Sequence, residues 1–155
     1  MLQATVSFKG DVFKELERAK KDTRGEIVSV VNAVTETVID RSPVWSGAYV
    51  RSFAWSANGA RKRRSYRSDR EVRVDPAAAK GEAATQLYTD LSVIDQIDLE
   101  DLKSITLTNG APHASLVEFG TSKAPNGYGI FAVARDMLSN VGMVRAGRVT
   151  EARSV

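Results

Sequence analysis

Few residues of this chain are of a type that does covalent chemistry. It carries one histidine, His113, and no cysteine among 155 residues. Disulfides, thiol catalysis and cysteine zinc sites are excluded. A serine nucleophile lacks a second histidine and a paired base to activate it. Four carboxylates stand close together, Asp95, Asp98, Glu100 and Asp101. They lack the alternating ligands, central glycine and closing glutamate of a calcium loop, and read as a solvated acidic turn that docks on a basic neighbour. Gly127-Tyr128-Gly129 has nothing else of a phosphate loop. Glu118, set between Val117 and Phe119, reads as a half-buried carboxylate. Such a group needs a partner, and Arg51 is the expected one, in a structural ion pair. These residues point to a protein that is not an enzyme, with no catalytic residue, cofactor or metal.

The strongest polar signal is a run of charge. Residues 61–73 hold seven cations, Arg61, Lys62, Arg63, Arg64, Arg67, Arg70 and Arg73, against Asp69 and Glu71, a net charge of +5. The whole chain is only +3, so basicity is local. Three readings stay open for this segment: a solvated, mobile loop tip, a dock for an acidic neighbouring subunit, or sequence-blind contact with DNA phosphates that weakens with salt. Tyr66 is the one aromatic residue in the run, too little for a base-stacking platform.

The elements that position these residues follow from periodicity. Leu2, Ala4, Val6 and Phe8 alternate with polar residues, the period of a strand. Val12, Leu16, Ala19, Thr23, Ile27, Val30, Val31, Val34 and Val38 recur at steps of three and four, a helix to about Asp40, roughly 45 Å long, with Gly25 as a bend point. Ser42-Pro43 ends it, and Trp45-Ser46-Gly47 turns the chain into a strand running from Tyr49 to Trp55. Asp75 caps and Pro76 opens a second helix, with Ala84, Leu87, Tyr88, Leu91 and Ile94 as its stripe. Ile105 and Leu107 mark another strand, closed by Asn109-Gly110. Pro112 then starts a short helix with Leu116, Val117 and Phe119 as its apolar face. Gly120 stops it, Thr121 to Gly127 form an elbow stiffened by Pro125, and Asn126 caps a last helix over Tyr128 to Asn140. The expected fold is α+β, a long N-terminal helix and shorter helices packed on a small, mainly antiparallel β-sheet. Residues 1–142 form one domain with a basic loop at 58–73, and 143–155 are a fraying tail that orders against a neighbour. No apolar run is long enough for a membrane span, and the N-terminus has no charged and apolar leader, so no signal peptide is expected.

Three segments carry a resemblance. "RSPVWSGAYVRSF" (Arg41 to Phe53), "SITLTNGAPHA" (Ser104 to Ala114) and "HASLVEFGTSKAPNGYG" (His113 to Gly129) occur in the order and spacing of the motifs of the bacteriophage HK97 gp10-like tail-component family. That family includes tail-completion and neck proteins of tailed phages, and the resemblance spans most of residues 10 to 142. His113 stands where the family usually has tyrosine, and Trp45-Ser46 replaces its acidic-threonine pair. The resemblance implies a structural virion protein, a ring-forming connector at the head–tail junction or the top of the tail, assembled in the host cytoplasm. Its implied partners are copies of itself, head-completion or connector proteins, and tail or tail-terminator proteins, with non-specific contact to packaged DNA. The contact residues would be the seven cations of 61–73, and the elbow would be built from Pro43, Gly47, Glu118, Phe119, Gly120, Thr121, Pro125 and Asn126. A minor tail or tail-terminator protein and a basic nucleic-acid-binding protein are the alternatives.

Overall fold

The computed structural model describes residues 2–8, 20–60, 62, 64–66, 72–122, 125–139, 144–146 and 150–151. The fold is α+β. In chain order the elements are β1 (Leu2–Phe8), α1 (Lys20–Arg41), a 3-10 turn (Val50–Ser52), β2 (Phe53–Ala57), α2 (Pro76–Ile94), β3 (Ser104–Asn109), α3 (Ala114–Phe119), α4 (Ile130–Ser139), β4 (Val144–Ala146) and β5 (Thr150–Glu151). The strands form one antiparallel sheet in the order β2-β3-β1-β4, with β5 also on β1. β1 pairs with β3 from Leu2↔Asn109 to Ser7↔Ser104. β2 takes the other side of β3, from Phe53↔Asn109 to Ala57↔Ile105. Residues 144–146 and 150–151, expected as part of a fraying tail, instead add two strands to β1.

α1 has 22 described residues and α2 has 19. The helical spacing read from the sequence buries Ile27, Val31, Val34 and Val38 of α1. The helix runs on through Gly25 without interruption, and the part expected over Val12 to Ala19 lies outside the described residues. Asp75 caps α2 as expected, accepting the Ala78 N–H at 2.9 Å, and Pro76 takes the first turn. The core gathers Val34, Val38, Val50, Phe53, Trp55, Leu87, Leu107, Ile130 and Phe131. The Trp55 indole donates to Thr35 Oγ1 at 2.9 Å, and that hydroxyl donates back to Val31 O at 2.8 Å.

The strand expected from Tyr49 starts four residues late. Gly47 has φ +79°, a conformation that costs glycine little. From there Arg51 N–H reaches Gly47 O, Ser52 N–H reaches Tyr49 O, and Ser52 Oγ donates to Ala48 O. These local bonds compete with a ladder and wind residues 50–52 into a helical turn.

Arg24 of α1 reaches across to the turn that follows α2. It donates to Asp95 Oδ1 at 2.8 Å and to the Asp95 and Ile97 carbonyls. One carboxylate of the acidic turn is thereby held within the chain. A mainly apolar groove of about 250 Å³ lies beside this contact, between α1, α2 and the turn that follows α2.

Candidate functional site

The three segments that carry the resemblance converge on one knot. Asn109, fully buried at the end of β3, donates from Nδ2 to Tyr49 O at 2.9 Å and accepts the Ala111 N–H at 3.0 Å. Gly110 N–H reaches Ser52 O. The His113 ring leans on Tyr49 at 6.3 Å, and Tyr49 meets Phe53 edge-on at 5.2 Å. Tyr49 is buried, and its hydroxyl has no hydrogen-bond partner among the described residues. Burial, and then the charge of Glu118, push its pKa far above the ordinary tyrosine value.

The elbow grows from this knot. Gly120 ends α3 at φ 89°, a backbone that strains any residue with a Cβ. The chain then doubles back on itself: Tyr128 N–H bonds Val117 O at 2.8 Å and Gly129 N–H bonds Glu118 O at 3.2 Å. Gly127, at φ +54°, lies so close that a Cβ would fall on the Glu118 carbonyl and 2.6 Å from Gly120 N. Glu118, only 3% exposed, fastens the loop to the next helix. Its Oε2 accepts the Phe131 N–H and its Oε1 the Ala132 N–H, both at 3.0 Å. A carboxylate there satisfies two orphan donors of α4 and faces the positive end of its dipole.

Three expectations for this stretch are corrected. Glu118 does not pair with Arg51, whose Nε lies 2.7 Å from Glu82 Oε2. Asn126 does not cap the last helix, because the Glu118 carboxylate holds those amides. The face of α3 is inverted: Ala114 and Glu118 are buried, Val117 is partly buried, and Leu116 and Phe119 are exposed together with Tyr128. Placing the carboxylate inward, where it can cap α4, turns the two apolar neighbours outward. Thr121, Pro125 and Asn126 sit on the exposed side of the elbow. Pro43 follows the end of α1, where Ser42 caps inward through Oγ to Val38 O.

The basic segment divides. Lys62 and Arg64 both turn onto Asp90, which is 3% exposed. Arg64 reaches both carboxylate oxygens, at 3.1 and 3.0 Å, and also donates to Phe53 O at 2.7 Å. Asp90 Oδ2 in turn accepts the Trp55 N–H at 3.0 Å. β2 is the outermost strand, and side chains satisfy its outer edge where another strand would otherwise pair. The stripe read from the sequence, Ala84, Leu87, Tyr88, Leu91 and Ile94, leaves Asp90 out. The signal was present, since 79, 83, 87, 90 and 94 are spaced as one helical stripe and all are buried.

Arg73 lies over the Trp45 ring at 3.9 Å, and Arg51 lies over the Tyr66 ring at 4.8 Å. Arg61, Arg63, Arg67 and Arg70 lie outside the described residues.

Among the described residues, no three histidine, aspartate or glutamate side chains gather as a metal site, and no helix is long and apolar enough to cross a membrane. No family model matches the chain, and no curated protein or solved structure matches it either.

Proposed function

We propose that this chain is a structural protein of a tailed bacteriophage, a neck or tail-completion subunit that forms a ring at the head–tail junction. The observation that carries the reading is the knot. Two stretches far apart in sequence, 41–53 and 104–129, which together hold the three segments that resemble motifs of the HK97 gp10-like family, meet through Asn109, Tyr49 and His113. A ring needs one rigid heterologous surface that repeats and closes. The elbow supplies rigidity through the Glu118 cap and the Gly127 contact, and it turns Leu116, Phe119 and Tyr128 outward. Its work is surface complementarity, with copies of itself and with head and tail proteins as partners, and no catalysis.

Electron microscopy of lysates from a phage carrying an early stop codon in this gene tests the reading. Filled heads and finished tails that fail to join are the expected outcome. Absent or overlong tails would move the protein to tail assembly or termination, and normal infectious particles would overturn the structural role.

A further inference from the structure

The two tryptophans have opposite fates. Trp55 is 1% exposed and Trp45 is 57% exposed. Proteins that bind single strands combine basic charge with exposed aromatic rings on which bases stack, and the fold brings a second ring and a cation to the neighbourhood of Trp45.

The parts join through a chain of contacts. Arg73 lies over Trp45, and the next residue, Val74, donates its N–H to Trp45 O at 3.0 Å. Val74 and Arg51 both crowd Gly47, where a Cβ would stand 3.2 Å from Val74 Cγ2 and 2.7 Å from Arg51 Nη1. Arg51 then lies under Tyr66, whose backbone is pinned by its N–H to Ser52 Oγ at 2.9 Å. Trp45, Arg73, Arg51 and Tyr66 thus form one continuous strip, although the two rings are twenty-one positions apart in sequence. Each ring is backed by a guanidinium and remains exposed.

We propose that this strip binds single-stranded nucleic acid without sequence preference, with bases stacking on Trp45 and Tyr66 and Arg73 meeting a phosphate. A guanidinium on an aromatic face keeps its in-plane N–H donors for a phosphate. Arg51 is held by Glu82 and serves as the floor under Tyr66, while Arg73 carries the charge. Residues 61–73 carry a net charge of +5 in sequence, of which Lys62 and Arg64 answer Asp90, and the remaining excess favours a polyanion. Two exposed rings favour unpaired bases over an acidic protein, which charge alone would attract, and over a duplex, whose bases are already stacked. The inference is independent of the proposed place in a virion.

Trp45 is its own reporter, because Trp55 is sealed in the core. Titration of the full-length protein with a single-stranded oligothymidine, followed by tryptophan emission, should show quenching and an affinity that falls with salt. Trp45→Ala should weaken binding about tenfold and Tyr66→Ala by a similar factor, as expected for the loss of one stacked base. Binding by Trp45→Ala is followed by anisotropy of a labelled oligothymidine, with the Trp55 emission checking that the fold is intact. Arg73→Gln should lower the salt slope by about one. Binding of a duplex or of polyglutamate as tight as that of the oligothymidine would overturn the proposal. So would an unchanged affinity in both ring variants, or no binding at low salt.

Discussion

Two buried carboxylates, equally hidden from water, are stabilised in opposite ways. Asp90 is held mainly by side-chain cations, Lys62 and Arg64, with one backbone amide from Trp55. Glu118 is held by two backbone amides of α4. In the first case a charge is neutralised by opposite charges brought from a segment outside the sheet. In the second it is met by fixed dipoles that exist once α4 forms. The first arrangement fastens a basic arm to an edge strand. The second fixes the angle between two helices. A buried carboxylate therefore does not by itself announce an ion pair, and the pairing expected between Glu118 and Arg51 failed because backbone donors were closer at hand.

The difference is broken most sharply at Asp90. Removing the acid strands a guanidinium and an ammonium, leaves the Trp55 N–H unpaired, and releases the arm from β2. Asp90→Ala should cost about 3–5 kcal/mol, the usual loss when one member of a buried ionic group is deleted. Chemical denaturation followed by Trp55 emission measures it. A loss below about 1 kcal/mol, the range of exposed ion pairs, would show that the clamp is not closed in solution.

Glu118→Ala comes next. It leaves two amides of α4 without their acceptor, at about 1–3 kcal/mol for an unsatisfied buried group, and the cost should be local. Hydrogen exchange should quicken at Phe131 and Ala132 and stay unchanged along β2 and β3. Uniform acceleration over the whole sheet would mean that Glu118 supports the core as a whole and not the elbow alone.

Lys62→Ala separates the two cations of the clamp. The lysine is half exposed, while Arg64 is mostly covered and also bonds Phe53 O. Loss of Lys62 should cost about 0–1 kcal/mol, in the range of solvent-exposed pairs, and the cost should shrink in high salt. Arg64→Ala in the same assay should cost more at every salt concentration, and equal losses would contradict the unequal burial.

What the sequence made legible follows the physical range of each signal. The period of α1, the Asp75-Pro76 start of α2, the stop at Gly120 and the α+β class rest on local rules, and each stands in the structure. Most of the misses share a cause, a distant partner that local rules do not see, and the turn at 50–52 is the local exception. Asp90 is buried because Lys62 and Arg64 reach it. Leu116 and Phe119 point outward because Glu118 must point inward to α4. Residues 50–52 coil because Gly47 and Ser52 offer bonds that period-two alternation does not register. Tyr66 seemed isolated because Trp45 joins it only through the fold. Two strands came from the expected tail because the vacant side of β1 is visible only once the sheet is assembled.

The smallest expected effect sharpens the comparison from the side of Glu118. The Tyr49 hydroxyl is buried, lacks a hydrogen-bond partner among the described residues, and sits in the field of the Glu118 charge. Both influences favour its neutral form, so its folded pKa lies above the unfolded value of 10.0. Above pH 10 the unfolded chain releases a proton that the folded chain retains. The stability that Tyr49 contributes is thus complete below pH 10 and declines as pH rises beyond it. Tyr88 is raised too, by its slight burial and then by Glu36, but it is present in both proteins and cancels in the comparison. Tyr49→Phe should be neutral or up to about 1 kcal/mol more stable at pH 7, since it removes an unsatisfied hydroxyl, and should lose less stability between pH 10 and 11 than the parent. Glu118→Gln should reduce that alkaline difference, because it removes the charge that adds to burial, whereas Asp90→Asn should leave it unchanged. An equal response to both changes would mean that the two carboxylates act on Tyr49 through the stability of the whole fold, and the distinction between a clamp and a cap would fail.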